Sequence, residues 1–251
     1  MPDINPLSYH PADPLAIRLS EEWGGVEFIV AGIDRDTTLT DRVTMPCQTH
    51  TAHVECLTSE RLRQIREDGI PAATIFPDTD ALITDLSGEW IGVRTADCVP
   101  ILLYAPDIRA VAAIHAGWKG TLHGIAAETV DRLCASGAET RNMRAYIGPC
   151  ICGDCYEVSP ELAEAFAEGG MAHGVLWPEE GGRPHLDLAA CNRRLLLQKG
   201  LLQDAVTIGG VCTRHAEAGE SAGPTAQHPL YSYRRNPGET GRNITAIRLL
   251  P

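Results

Sequence analysis

The sequence predicts an α/β fold in which mixed β-sheets carry helices on their outer faces. Short apolar runs, typical of buried strands, alternate along the chain with stretches of helical periodicity. Several consecutive strand predictions are separated by joins that are too short for a helical crossover, so some neighbouring strands must pair antiparallel. Together these features favour mixed sheets with helices packed outside over an all-parallel sheet.

Each predicted element follows from local patterning. The predicted strands cover residues 26–33, 43–56 with a turn around His50, 80–84, 90–94, 99–104, 111–115, 144–147, 206–211 and 245–249. The predicted helices cover residues 59–68, 121–134, 160–168 and 186–199. Ser59 is a suitable N-cap for the first helix, and Gly69 and Gly200 follow two of the helical stretches, where glycine commonly ends a helix.

The rest of the chain contains no fixed repeat and no linker that separates two cores. Residues 1–25 are predicted to form an irregular arm, and residues 216–227 a polar, glycine-rich loop. We therefore expect one domain over residues 1–251.

Composition and charge exclude several classes of function. The 251 residues carry a formal net charge of −12, which disfavours nucleic acids and anionic membrane surfaces as partners. The N-terminus lacks the basic and apolar regions of a secretory signal, and no apolar run is long enough to span a membrane. Nine cysteines, an odd number, fit reduced thiols better than disulfides, so we expect a cytoplasmic protein.

Three separated segments place reactive side chains where strands end. Cys98 follows a short turn between two predicted strands, His115 ends a buried strand, and His50 lies in the turn within residues 43–56. A cysteine in such a place is by itself more often a core residue. Two histidines and a thiolate can hold a catalytic zinc with an open fourth position, but one cysteine and one histidine can equally form a nucleophile and its base. The spacing does not choose between these two readings.

A set of motifs, in a fixed order, resembles a known family. The motifs are Gln48-Thr49-His50, Gly92-Val93-Arg94-Thr95-Ala96-Asp97-Cys98-Val99-Pro100, His115-Ala116-Gly117-Trp118-Lys119-Gly120, Ile147-Gly148-Pro149-Cys150, Tyr156-Glu157-Val158, Tyr231-Ser232-Tyr233-Arg234-Arg235 and Thr240-Gly241-Arg242. Together they are similar to the multicopper polyphenol oxidoreductase, or laccase-like, family. Its members are also known as zinc-dependent purine nucleoside phosphorylases and as peptidoglycan editing factors.

The resemblance implies a layered sandwich of mixed sheets with outer helices. It also implies phosphorolysis of adenosine, inosine and related purine nucleosides to free base and ribose 1-phosphate, with adenosine deamination as a second activity. The family's zinc ligands correspond here to His50, Cys98 and His115, which would also be the catalytic residues. His53 is not at a ligand position.

The implied phosphate substrate needs cationic partners, and arginine suits phosphate because its planar fork can bind two oxygens. The candidates are Arg94, Lys119, Arg234, Arg235 and Arg242. Glu157, in a family motif, is a candidate for supporting the metal site or carrying a proton.

Other interpretations stay open. Cys98 and His115 could form a cysteine hydrolase that cleaves an amide such as one in a peptidoglycan precursor. Alternatively, the protein could bind zinc without activity, since the usual arginine and a loop of the family are absent near residues 28–35. A copper laccase is disfavoured because its sites need a larger set of histidines. For the cluster of Cys150, Cys152 and Cys155, we expect reduced thiols beside the pocket, because no nearby histidine completes a tetrahedral set.

Overall fold

The computed structural model describes residues 14–32, 39–179, 181–215, 230–238 and 241–251. The predicted loop over residues 216–227 lies outside these ranges, as do Ile33 and Thr240. Among the described residues, no helix is both long enough and apolar enough to cross a membrane.

The strands form two mixed sheets and one short pair. In chain order they are β1 (Val26–Ala31), β2 (Val43–Thr44), β3 (Val54–Cys56), β4 (Ala81–Thr84), β5 (Trp90–Thr95), β6 (Val99–Ala105), β7 (Ala110–Ala116), β8 (Arg144–Ile147), β9 (Val175–Leu176), β10 (His185–Leu186), β11 (Val206–Ile208) and β12 (Asn243–Leu249). A four-stranded sheet has the order β1-β12-β5-β2, in which β2 pairs parallel with β5 and the other pairs are antiparallel. A six-stranded sheet has the order β11-β8-β6-β7-β4-β3, with parallel pairs at its two ends. The predicted mixed pairing is therefore confirmed.

The two sheets pack face to face, and the central strands are covered on both sides. Along β6, Ile101 and Leu103 belong to a core beneath the helices, whereas Leu102 and Tyr104 belong to the core between the sheets. This alternation follows from the two-residue period of a strand. Because both faces are buried, β6 is a continuous apolar run and shows no alternation of polar and apolar residues.

The helices complete the layers. In chain order they are α1 (Pro14–Trp23), α2 (Leu39–Arg42), α3 (Ser59–Arg66), α4 (Ala72–Ile75), α5 (Trp118–Leu122), α6 (Ile125–Ala135), α7 (Pro160–Phe166) and α8 (Leu188–Gln198). Helices α6, α7 and α8 cover the outer face of the six-stranded sheet through residues such as Ile125, Phe166 and Leu196. The predicted layered α/β architecture is thus confirmed.

Several elements differ from prediction. The strand expected over residues 43–56 consists of β2 and β3 alone, which lie in different sheets and are joined by a loop. The helix expected over residues 121–134 is divided into α5 and α6, because Gly124 adopts a left-handed φ of 77° that no helix interior allows. Of the arm expected to be irregular, residues 1–13 lie outside the described residues, and the part that follows forms α1, which buries Ala16 and Leu19 against the core between the sheets. Pro14 stands at the first helical position, where its missing N–H is not needed.

Candidate metal centre and substrate pocket

Cys98 lies in the turn that joins β5 to β6. The preceding residue, Asp97, has a φ of 90°, which few residues other than glycine adopt. Its carboxylate accepts hydrogen bonds from Thr213 Oγ1 at 2.6 Å and from the backbone N–H of Arg234 at 2.7 Å. These contacts stabilise an unfavourable backbone conformation, and the turn presents the half-buried Cys98 thiol to a cavity.

His115 lies near the end of β7 and is held by a buried carboxylate. Its Nδ1 is 2.6 Å from Oδ1 of Asp80, and its backbone N–H donates to the Asp80 carbonyl at 2.7 Å. Because Nδ1 faces the carboxylate, Nε2 is the nitrogen left for a metal ion, which is the usual arrangement of metal-binding histidines. Sequence reasoning missed Asp80, although an acidic residue that opens an otherwise apolar strand was a usable signal.

The same carboxylate fixes the loop that carries His50. Asp80 accepts hydrogen bonds from the backbone N–H groups of Thr49 at 3.2 Å, His50 at 3.1 Å and Thr51 at 2.7 Å. His50 itself has a φ of 66°, so its loop depends on such support. Burial opposes the ionisation of Asp80, but the hydrogen bonds from His115 and Thr51 outweigh it and lower the pKa of this carboxyl to about 2.

The three ligand candidates converge. One ligand atom from each of His50, Cys98 and His115 lies within 4.8 Å of the other two, and His50 Nε2 is 3.9 Å from Cys98 Sγ. Gly117 makes room for them, since a Cβ there would lie 2.7 Å from Cδ2 of His50 and 3.2 Å from Cys98 Sγ. Two imidazoles and one thiolate are a donor set that could hold a transition-metal ion.

Without a metal, the buried thiol and imidazole support each other's charge. Burial opposes the ionisation of Cys98, but the positive charge of His115 and hydrogen bonds from both histidines lower the pKa of the thiol to about 6. Burial also opposes protonation of His115, yet Cys98 and Asp80 raise the pKa of its imidazole to about 9. Cys98 is therefore a thiolate near neutral pH, which is the form of cysteine that binds metals, whereas His115 must lose a proton when a metal binds.

A cavity of about 730 Å³ opens over the cluster, a size that suits a small molecule. It is lined by Arg94, Arg234 and Arg242, together with the aromatic rings of Tyr156 and Tyr233. The Arg234 guanidinium stacks 4.8 Å from the centre of the Tyr156 ring and donates to the Glu157 carbonyl at 2.9 Å. Three of the predicted cationic residues thus lie beside the three ligand candidates.

The other two predicted cations lie outside the cavity lining. Arg235 donates hydrogen bonds to the backbone carbonyl of Thr213 at 2.7 Å and to the backbone carbonyl of Leu230. It thereby connects the segments that contain these two residues. The Lys119 ammonium lies 5.4 Å from the centre of the Trp118 ring.

His53, which was not expected to be a ligand, and the candidate Glu157 both form ion-pair contacts away from the cluster. His53 Nε2 is 3.2 Å from Glu55, and the Glu157 carboxylate pairs with Arg183 at 3.2 Å on the surface. The carboxylate that supports the metal candidates is therefore Asp80 and not Glu157.

The cysteine cluster also differs from expectation. The structure brings Cys152 and Cys155 together with Cys212 and His215, so a histidine does complete a set of four donors. The expectation that none would was wrong, because His215 is 60 residues from Cys155 in the chain. Cys150 is buried and stays apart from this set.

Relatives of this chain act, by their names, on purine nucleosides. The chain is 39% identical over 174 residues to a purine nucleoside phosphorylase of Deinococcus radiodurans, covering 69% of this chain but only 62% of that relative. It is 37% identical over 210 residues to adenosine deaminase RL5 from an unknown prokaryotic organism, covering 82% of this chain and 75% of the relative.

Solved structures and a family model agree with these relatives. The crystal structure of the hypothetical protein YfiH from Bacillus licheniformis matches with a TM-score of 0.69 and 28% identity, over 84% of this chain and 78% of that one. YlmD from Geobacillus stearothermophilus shares the fold with a TM-score of 0.70 at 24% identity, over 91% and 93% of the two chains. Residues 30–250 match the model of one family throughout. The chain therefore belongs to the family described as multi-copper polyphenol oxidoreductase laccase.

Proposed function

We propose that this protein is a zinc-dependent enzyme that cleaves purine nucleosides with phosphate and also deaminates adenosine. The observation that carries the proposal is the cluster of His50, Cys98 and His115, which opens into an arginine-lined cavity. The names of two relatives, a purine nucleoside phosphorylase and an adenosine deaminase, support the two reactions.

The donor set favours zinc over copper, despite the family's descriptive name. Two imidazoles and one thiolate leave a fourth position open, as in catalytic zinc sites. When bound, zinc would supply a Lewis acid and lower the pKa of a coordinated water to about 7. Asp80 would keep the Nδ1 proton on His115 and so hold Nε2 ready as a ligand.

In the phosphorolysis, a phosphate oxygen attacks the anomeric carbon of the sugar. The C–N bond to the purine breaks, and the base leaves with a proton, which gives free base and ribose 1-phosphate. We assign phosphate binding to Arg94, Arg234 and Arg242, because their guanidinium groups can neutralise and orient the nucleophile. Tyr156 and Tyr233, which line the cavity, are our candidates for packing against the purine.

In the deamination, water attacks C6 of adenine and the amino group leaves as ammonia, giving inosine. This reaction needs the metal ligands but no phosphate. The two activities therefore share His50, Cys98 and His115 and differ in their need for the arginines.

The test is to incubate pure protein with adenosine or inosine, with and without phosphate, and to separate the products by chromatography. We expect base and ribose 1-phosphate only when phosphate is present, and inosine from adenosine in either case. Base release that does not depend on phosphate would replace the phosphorylase with a hydrolase. Turnover of neither nucleoside would favour a zinc-binding protein without activity.

One observation favours a second candidate, the cysteine hydrolase. The lowered pKa of Cys98 and the raised pKa of His115 describe a thiolate beside an imidazolium, which is also the resting state of a cysteine nucleophile. Chelation separates the two proposals, since a hydrolase of this kind keeps its activity without metal whereas the phosphorylase loses it and regains it when zinc is added.

A further inference from the structure

We propose that Cys152, Cys155, Cys212 and His215 form a second metal site, which binds one zinc ion in a structural role. It lies outside the cluster of His50, Cys98 and His115 and does not depend on the function proposed for that cluster. One donor atom from each of the four residues lies within 4.8 Å of the other three. Three thiolates and one imidazole are a complete set for a structural zinc ion, which uses four protein ligands and leaves no position open.

The chain supplies the four donors as two short pairs of equal spacing. Cys152 and Cys155 are separated by two residues, and so are Cys212 and His215. Such a spacing lets both members of a pair reach one ion from a single turn, as in many structural zinc sites. A turn of 3₁₀-helix over Gly153–Cys155 brings the first pair together.

The sheet brings the two pairs to the same place. Strands β8 and β11 run parallel, and Ile147 pairs with Ile208, so the loops that follow both strands leave at one edge. There the two loops bond to each other, since Cys150 N–H donates to the Val211 carbonyl at 3.2 Å and Thr213 N–H to the Cys150 carbonyl at 3.0 Å. Strand pairing and backbone hydrogen bonds between the two loops therefore bring the two ligand pairs together.

The contacts within the set are close to those of a coordinated metal. His215 Nδ1 is 3.0 Å from Cys155 Sγ and 3.8 Å from Cys152 Sγ. Zinc–ligand bonds in a tetrahedron separate the donor atoms by about 3.5–3.8 Å. The backbone N–H of Cys152 also points to Cys212 Sγ at 3.4 Å, a contact that stabilises a thiolate. A disulfide between any two of the thiols would involve neither the third thiol nor the histidine, whereas a metal ion would bind all four side chains.

A metal ion here would fix one wall of the substrate pocket. Tyr156 follows the ligand Cys155 and lines the cavity. Thr213 lies between the ligands Cys212 and His215, and its hydroxyl binds Asp97 beside Cys98. The second site would thus hold the loops around the first without touching the substrate.

The test is the zinc content of pure protein and its variants, measured by inductively coupled plasma mass spectrometry. We expect two zinc ions per chain in the wild type and one in Cys155→Ser, His215→Ala and Cys98→Ala. Combining Cys98→Ala with Cys155→Ser should remove both. Cys56→Ser, which changes an exposed thiol away from both clusters, is the matched control and should keep two.

Distinct results would overturn this proposal or the proposed function. A single zinc ion that is lost in Cys98→Ala and kept in Cys155→Ser overturns the second site alone. A single zinc ion that is kept in Cys98→Ala and lost in Cys155→Ser overturns the catalytic metal alone. If a variant does not fold, alkylation of the wild type gives the answer. Cys152 and Cys155, which are half-buried, should be protected until a chelator is added, and equal labelling before and after, or a mass loss of two hydrogens from a disulfide, overturns the site.

Discussion

Replacing Asp80 by asparagine tests whether one carboxylate organises the proposed metal centre of His50, Cys98 and His115. Its Oδ1 accepts from His50 N–H and His115 Nδ1, and its Oδ2 accepts from the backbone N–H groups of Thr49 and Thr51 and from the Thr51 hydroxyl. An asparagine offers one oxygen, so its NH₂ group must face at least two donors. A hydrogen bond to a charged group contributes about 1.5–3 kcal/mol, which predicts a loss of about 3–6 kcal/mol in the free energy of unfolding.

The Asp80→Asn variant should also bind zinc 10- to 100-fold more weakly, roughly the effect of losing the partner of a metal-binding histidine. Urea unfolding of chelated and zinc-loaded protein measures the first effect, and competition with a coloured chelator measures the second. Asp78→Asn is the matched control. It lies in the same loop, its carboxylate accepts from the Thr49 hydroxyl at 3.1 Å, and it has a φ of 46°, which asparagine tolerates well.

The reasoning is refuted if Asp80→Asn matches the control in both stability and zinc affinity. Should the variant fail to fold, Thr51→Val provides a milder test. It removes the hydroxyl that donates to Asp80 at 2.8 Å and leaves the carboxylate in place. A stability loss of about 1 kcal/mol, with weaker zinc binding than the wild type, would support the same role for the carboxylate.

The remaining predictions concern the pocket. Gly117→Ala should weaken zinc binding while the protein stays folded, because the new Cβ, 2.7 Å from Cδ2 of His50, displaces that ring. Gly169→Ala, whose new Cβ meets the flexible ends of a leucine at 3.2 Å and a methionine at 3.7 Å, should bind zinc normally. Iodoacetamide should label Cys98 rapidly only after chelation, and equal labelling by mass spectrometry with and without chelator would contradict a ligand role. Arg94→Ala and Arg242→Ala should raise the KM for phosphate by about tenfold or more and spare the deamination of adenosine, since each removes a charge-assisted hydrogen bond. Arg235→Ala should instead lower stability, and a KM rise confined to Arg235→Ala would reverse these assignments.

Much of the fold was visible in the sequence because the central strands are buried on both faces. The run that became β6 is apolar without interruption, and the run that became β7 is interrupted by His115 alone; such runs have few other ways to be buried. The division between α5 and α6 was not predicted, because the apolar spacing continues across Gly124 while its backbone leaves the helix. The spacing of apolar residues indicates which face of a helix is buried, but it does not indicate where a single φ angle interrupts the helix.

The sites show a similar contrast. The candidates His50, Cys98 and His115 came from the family resemblance, since residues so far apart have no spacing that identifies them. The contact of Asp80 with His115 and the contact of Cys155 with His215 join residues that are far apart in the chain. These contacts form only because paired strands bring the distant segments together. A lone Cys-x-x-Cys pair in the sequence has many possible partners, and the parallel pairing of β8 with β11 selects one.

Asp97 connects the two clusters. Asp97 adopts a backbone conformation that costs about 1–3 kcal/mol, and the turn it forms presents Cys98. Contacts from Thr213 and Arg234 to its carboxylate offset that cost. Because Thr213 lies between two residues of the proposed second metal site, loss of a metal ion there would loosen the contact that holds this turn. The His215→Ala variant keeps His50, Cys98 and His115, yet we expect it to bind zinc at these three residues more weakly than the wild type. Zinc competition measurements on His215→Ala, with Cys56→Ser as the control, would show whether the two sites are coupled in this way.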